Sequence, residues 1–159
     1  MSVSDTPSEQ KDIDNIHFHF EEVDFSLPRI HSLKQWIESV ATKEKCRVTL
    51  LNFVFCTDPY LHQINLDYLN HDTLTDIITF PYTLPPDIEG DIFISIDRVK
   101  ENAIIFKTSF LNELHRVISH GVLHLCGYHD KSPEEKKLMT QKENEALQLL
   151  EHLFSLKKN

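Results

Sequence analysis

The run from Cys46 to Cys56, CRVTLLNFVFC, constrains the fold more than any other part of the chain. It is rich in β-branched and aromatic residues, and its apolar side chains fall at both odd and even positions. A strand with two apolar faces has to be covered on both, so it calls for helices layered on a sheet. The rest of the chain supplies them. His17-Phe18-His19-Phe20 alternates as a half-buried strand does, with the phenylalanines inward. Ile30, Leu33, Ile37 and Val40 share one face of a helix that has Pro28 in its first turn, and Trp36 beside that stripe belongs to the core. Asp58 caps and Pro59 opens a second helix, with Leu61, Ile64 and Tyr68 inward. Two short strands, Ile77–Phe80 and Asp91–Ser95, flank a turn around Pro85-Pro86. From Asp97 onward the pattern is helical, broken near Lys107–Ser109 and stopped at Gly127. Ser132-Pro133-Glu134-Glu135 then opens a last helix, where the serine caps and the acids complement the dipole. The expected fold is α+β, a single domain with a mixed sheet of about four strands packed by helices.

A chain of 159 residues suffices for one core and not for two. Residues 1–14 are acidic and aperiodic and read as a mobile tail, leaving 15–159 as the domain. The N-terminus has no basic and apolar signal pattern, and no apolar run reaches the ~18 residues of a membrane span. Three cysteines, Cys46, Cys56 and Cys126, form no CxxC pair, which suits reduced thiols in a cytoplasmic protein. The net charge of −9 discourages non-specific binding to polyanions. Residues 1–24, however, hold seven acids and one base, so the other 135 carry only −3 and leave room for a selective nucleic-acid site.

The chemistry concentrates in HGVLHLCGYHD, residues 120–130, which holds two of the chain's three glycines, Gly121 and Gly127. His120 and His124 stand at i and i+4, one above the other on a helix face, where two imidazoles can hold one ion. Gly127 permits the turn that ends such a helix. The chain then returns with a third ligand, Asp130 or its neighbour His129. Three protein ligands with one open position describe a catalytic zinc site. With ten histidines in the chain the HxxxH pair alone says little, and its conjunction with the glycine stop and a following ligand is what points to metal. The spacing also parallels the HExxHxxGxxH pattern of zinc proteases, but the glutamate that serves them as general base is Gly121 here.

The same segment resembles the HGxLHLxGYDH signature of the YbeY family, bacterial ribosomal RNA maturation factors and endoribonucleases. It agrees at His120, Gly121, Leu123, His124, Leu125, Gly127 and Tyr128. Upstream, Ile64-Asn65-Leu66-Asp67-Tyr68 with Asp72, Thr75-Asp76 and Phe80-Pro81 is similar to the family's LNxxYRxxDxPTDVLSFP, and Gly90-Asp91-Ile92 to its GDI strand. The resemblance implies a metal-binding helix near the C-terminus and a zinc-dependent endoribonuclease with one Zn2+ per chain on His120, His124 and Asp130. It further implies single-stranded RNA, a ribosomal RNA precursor, as substrate, with the ribosome or ribosomal proteins as possible partners and no membrane. An ion there would polarise a scissile phosphate or deliver zinc-bound hydroxide.

Two positions depart from the signature. The final Asp-His is inverted to His129-Asp130, so the residue ten positions after His120 is Asp130. The arginine after the family's tyrosine, thought to contact phosphate, is Leu69. Either another base such as Arg116, which shares the face of His120, takes that task, or the nuclease is weaker. Arg116 is alternatively a surface partner of Glu113, and Asp91 is a candidate to orient a ligand histidine. Two rivals stand beside the nuclease: a metal-dependent hydrolase of another substrate class, and a non-catalytic ribosome-associated protein in which metal pins the last helix.

Overall fold

The structure is a computed structural model and describes residues 13–71 and 74–157. Of the tail expected over 1–14, residues 1–12 lie outside the described residues, as does Asp72 of the upstream motif. Ile13 already packs against the core, and Lys34 Nζ donates to its carbonyl at 3.4 Å.

The elements run β1 (Ile16–Phe20), α1 (Ile30–Lys43), β2 (Arg47–Cys56), α2 (Asp58–Leu69), β3 (Ile77–Pro81), β4 (Asp87–Ser95), α3 (Ile96–Ile105), α4 (Phe110–Leu125) and α5 (Pro133–Lys157). The sheet has four strands in the order β1-β2-β4-β3. Parallel neighbours need a crossover, and α1 provides it between β1 and β2; β4 joins β2 in parallel and β3 antiparallel. The mixed α+β sheet expected from the pattern is the one observed.

β2 is central, and both of its faces are covered, as its apolar run requires. Leu51, Phe53 and Phe55 are fully buried in the main core with Ile88, Ile92 and Ile94 of β4. Cys56 turns to a second, smaller core with Leu61 of α2 and Ile78 of β3. β1 is less inward than its alternation suggests. Phe18 packs on the core, whereas Phe20 at the sheet edge is 39% exposed.

Several local expectations shift by a residue or two. Pro28 precedes α1, whose N-cap is Arg29 in a left-handed conformation (φ 58°), and Trp36 is fully buried as expected. In α2 the cap is Thr57, whose hydroxyl accepts from Tyr60 N, while Asp58 is already helical. Leu61 and Ile64 pack inward as expected and Asn65 is buried with them, whereas Tyr68 is 70% exposed. A serine caps each later helix: Ser95 for α3, Ser109 for α4, and Ser132 for α5. At Ser132 the bonding is reciprocal, since Glu135 Oε1 accepts from Ser132 N at 2.9 Å, which fixes the entry to α5.

α4 is the helix that matters for function. It is buried nearly all round, from Glu113 through Leu125, between the sheet and α1 and α5. A helix apolar on most sides is an internal element, so groups it carries are held rigidly.

Candidate active site

Gly121 shows why α4 can lie so close to the sheet. A Cβ there would stand 3.0 Å from Ile92 Cγ2 and 3.1 Å from Ile77 Cδ1. The position that carries a glutamate in zinc proteases therefore faces packed sheet side chains, with no space for a catalytic carboxylate. The general base of those proteases therefore has no counterpart at this position.

The other end of the motif is a helix stop with a consequence. Gly127 has φ +113°, its N–H donates to His124 O at 3.1 Å, and Tyr128 N donates to Leu123 O at 3.1 Å. This paired closure requires a residue free to adopt positive φ. It also swings the Tyr128 carbonyl onto His124, whose Nδ1 lies 2.9 Å from it. A carbonyl only accepts, so Nδ1 carries a proton, and in the neutral ring that leaves the lone pair on Nε2. The Tyr128 hydroxyl donates to Glu44 Oε1 at the end of α1, which anchors the turn.

His120 is oriented from α5. Its Nδ1 lies 2.7 Å from Glu143 Oε2, and its Nε2 lies 3.2 Å from Asp130 Oδ2. Burial pushes the imidazole toward its neutral form, but the hydrogen bond and charge of Glu143, with Asp130 and Asp76, outweigh it and hold the pKa above the ordinary value. The gap between Nε2 and Asp130 thus favours a positive charge.

Zinc takes nitrogen and carboxylate donors at about 2.0–2.2 Å, which sets two of its ligand atoms somewhat over 3 Å apart. The 3.2 Å between His120 Nε2 and Asp130 fits that donor chemistry. The His124 ring lies nearly parallel to His120, at 16° with centroids 6.1 Å apart. Among the described residues no three such side chains surround a common point. His129 meets the His124 ring edge, with centroids 6.3 Å apart. Of the two candidates for a third ligand, Asp130 is the one in contact with His120.

His120, His124, Asp130 and Glu143 line one side of a cleft of about 700 Å³, whose other walls include Asn65 and Leu69 of α2, His71 just after it, and the segment Thr75–Thr79. Four carboxylates, Asp76, Glu113, Asp130 and Glu143, face two permanent cations, Arg116 and Lys131. Arg116 pairs with neither a free anion site nor Glu113. Its guanidinium donates to Glu143 Oε1 at 2.9 Å and to Asn144 Oδ1 at 2.7 Å. Asp91 does not serve a ligand histidine: it accepts from Asn52 at 3.2 Å and from the Tyr82 hydroxyl at 2.7 Å. His17 and His19 remain a pair on β1, with His19 Nε2 near Asn52 Oδ1.

The sequence reading missed Glu143, the carboxylate that joins His120 to Arg116. Its signal was present. Met139, Glu143, Ala146 and Leu150 form one buried stripe of α5, and a carboxylate on such a stripe must have partners.

A protein-family model described as endoribonuclease YbeY matches residues 15–151. The chain is 49% identical to an endoribonuclease YbeY of Flavobacterium psychrophilum over 144 residues, covering 91% of this chain and 99% of that protein. It is 48% identical to the endoribonuclease YbeY of Flavobacterium johnsoniae over 132 residues, 83% and 94% of the two chains. A solution structure of a Thermotoga maritima protein superposes with a TM-score of 0.63 at 26% identity, covering 89% of this chain and 93% of that one. With its family motif closing the α4 turn and a match spanning the folded domain, the chain belongs to the YbeY family of endoribonucleases.

Proposed function

We propose that this endoribonuclease works with one zinc ion held by His120, His124 and Asp130, and that it cleaves single-stranded segments of ribosomal RNA precursors during ribosome assembly in the cytoplasm. The observation that carries the metal assignment is the pair of second contacts. Glu143 holds His120 Nδ1 and the Tyr128 carbonyl holds His124 Nδ1, which leaves both Nε2 atoms as ligands in the manner of metal-binding histidines. Asp130 adds a carboxylate against one of them. The chemistry such an ion supplies when bound is Lewis-acid stabilisation of negative charge on phosphate.

The charge of the cleft supports a cation as well. An RNA backbone entering a wall of four carboxylates needs more positive charge than Lys131 and an already paired Arg116 offer. Lys131 follows Asp130 directly and is exposed at the rim, where it is placed to draw a phosphate toward the corner. With Leu69 lining the cleft instead of an arginine, Lys131 and the ion share the task of offsetting backbone charge.

Metal analysis of protein purified without chelator tests the reading. It should return close to one zinc per chain, lost in His120→Ala and in His124→Ala, because two ligands hold zinc poorly. Asp130→Ala should weaken zinc far more than His129→Ala. Cleavage of a labelled single-stranded ribosomal RNA fragment should stop on chelation and return with zinc. Full zinc stoichiometry in either histidine variant would refute the assignment, and the reverse ranking of the two aspartate and histidine variants would move the third ligand to His129.

A further inference from the structure

β3 is an edge strand: it pairs with β4, and among the described residues no strand lies beyond it. In an antiparallel pair, residues that exchange both backbone hydrogen bonds with the partner alternate with residues whose N–H and C=O point the other way. The bonds from Ser95 N to Asp76 O at 2.9 Å and from Tyr82 N to Glu89 O at 2.8 Å set the phase. With Ile78 opposite Phe93 and Phe80 opposite Asp91, the even-numbered residues bond to β4, and Ile77, Thr79 and Pro81 turn their backbone groups outward. Pro81 agrees with this phase, since a strand tolerates proline only where no ladder N–H is needed. The row of outward donors therefore ends at Thr79. Outward from β3 is the cleft. α4 packs on one face of the strand through Gly121 against Ile77, and α2 on the other through Leu61 and Ile78. Residues of both helices line the cleft with Ile77, Ile78 and Thr79, so it runs along the edge between them, beside the His120 corner. The Ile77 carbonyl accepts from Thr75 Oγ1 at 3.3 Å. Among the described residues no hydrogen bond reaches the Thr79 N–H or carbonyl.

We infer that the Thr79 backbone holds an unpaired nucleobase of the RNA by its Watson–Crick edge, and that this contact gives the enzyme its selectivity for single strands. This rests on the nuclease reading above. Thr79 presents an N–H and a C=O side by side. A phosphate only accepts, so the carbonyl would repel it. The Watson–Crick edge of every base sets a donor beside an acceptor and satisfies both groups: uracil offers N3–H beside O4, and adenine N6–H beside N1. In a duplex those groups already bond to the opposite strand, so the contact selects the unpaired state and tolerates any base. Leu69, 39% exposed on the same cleft, offers an apolar surface to the base. A peptide adding to the edge as a further strand needs a longer row of outward groups. Pro81 and the engaged Ile77 carbonyl leave one complete pair, which is what a single base requires.

The test uses the full chain loaded with zinc and two oligouridines, one natural and one methylated at N3 of every base. The methyl group blocks the Watson–Crick edge and leaves the phosphates as they were. Wild type should cut the methylated strand with kcat/KM lower by at least about tenfold, the effect of one hydrogen-bonding group left unpaired. Thr79→Pro removes the outward N–H and no ladder bond. It should keep its zinc, cut the natural strand about tenfold less efficiently than wild type, and be nearly indifferent to the methyl group, because both changes break one contact. Thr79→Val loses only the hydroxyl and should keep the full methyl penalty. A measurement on wild type alone covers misfolding of the proline variant. In amide spectra the Thr79 N–H should shift on adding oligouridine with a cleavage-resistant backbone, and stay still with the methylated form. Equal cutting of the two strands by wild type, an equal methyl penalty in wild type and Thr79→Pro, or a silent Thr79 amide would overturn the proposal, while cleavage itself upholds the nuclease reading. A Thr79 amide that ignores RNA and shifts with an extended peptide would overturn it in favour of strand addition. A wild type that cuts neither RNA while its Thr79 amide answers to the natural strand would overturn the nuclease reading and keep the base contact.

Discussion

Glu143→Gln changes one oxygen to an amide nitrogen and keeps the volume, yet the geometry predicts that it is more damaging to metal binding than Glu143→Ala. Glu143 accepts from Arg116 through Oε1 and from His120 Nδ1 through Oε2. Arg116 can only donate, so a glutamine must turn its oxygen to Arg116 and its NH2 to His120. Nδ1 then has to accept, which moves the ring proton to Nε2, the nitrogen assigned to the ion. Recovering the ligating tautomer costs that new hydrogen bond, and flipping the amide sets its NH2 against the guanidinium. A hydrogen bond is worth about 0.5–1.5 kcal/mol, and about 1.5–3 when one partner is charged. At 1.4 kcal/mol per tenfold, the glutamine variant should lose zinc affinity by about 30–100-fold. Alanine leaves Nδ1 to water and should lose about tenfold, within the usual range for an orienting partner. Stability should rank the other way. Alanine strands an Arg116 side chain that is 28% exposed, a loss we discount for solvent to about 1–2 kcal/mol. Competition with a chromogenic zinc chelator, and urea unfolding of the same samples, read both quantities. Glutamine binding zinc as tightly as wild type while alanine binds weakly would refute the tautomer argument and leave Glu143 acting by charge alone.

Gly121→Ala gains about 1 kcal/mol of helix propensity and meets Ile92 and Ile77 at 3.0–3.1 Å. Overpacking of about 1–3 kcal/mol should leave it less stable in thermal melting, and a gain in stability would show that the helix has room to move. Gly90→Ala should be worse, because its Cβ would meet the Phe80 carbonyl at 2.7 Å and β3 must shift as backbone. His115 is 8% exposed, its Nε2 has no hydrogen-bond partner among the described residues, and burial, helped by Arg29, lowers its pKa to about 4. The folded value lies below the unfolded one of about 6.5, so the unfolded chain takes up more protons and stability falls as pH drops from about 6.5 toward 4. From pH 7 to pH 5 this amounts to about 2 kcal/mol. In urea titrations His115→Phe should gain that much on wild type over the same interval, and a constant difference would mean that His115 is not held neutral.

What was legible in the chain was what local pattern encodes. The two-faced apolar run gave away β2 as a covered central strand, and Gly127 marked the stop of α4 because only a turn with positive φ brings Tyr128 back over the helix end. The HxxxH spacing placed His120 and His124 on one face for the same reason. What was not legible depends on partners far away in sequence. Arg116 shares the face of His120, and that much is periodicity, but its engagement is decided by Glu143, 27 residues on. The expected choice between substrate phosphate and Glu113 omitted α5 altogether. Asp91 failed for the same reason: its partners are Asn52 on β2 and Tyr82 after β3, which only strand order brings to it. Gly121 joins the two kinds of information. In the sequence it appears as a missing base; in the fold it is the contact that lets α4 approach Ile92 and Ile77. The same close approach that excludes a glutamate beside His120 carries α4 along the sheet so that Glu113 lines the cleft near Asp76.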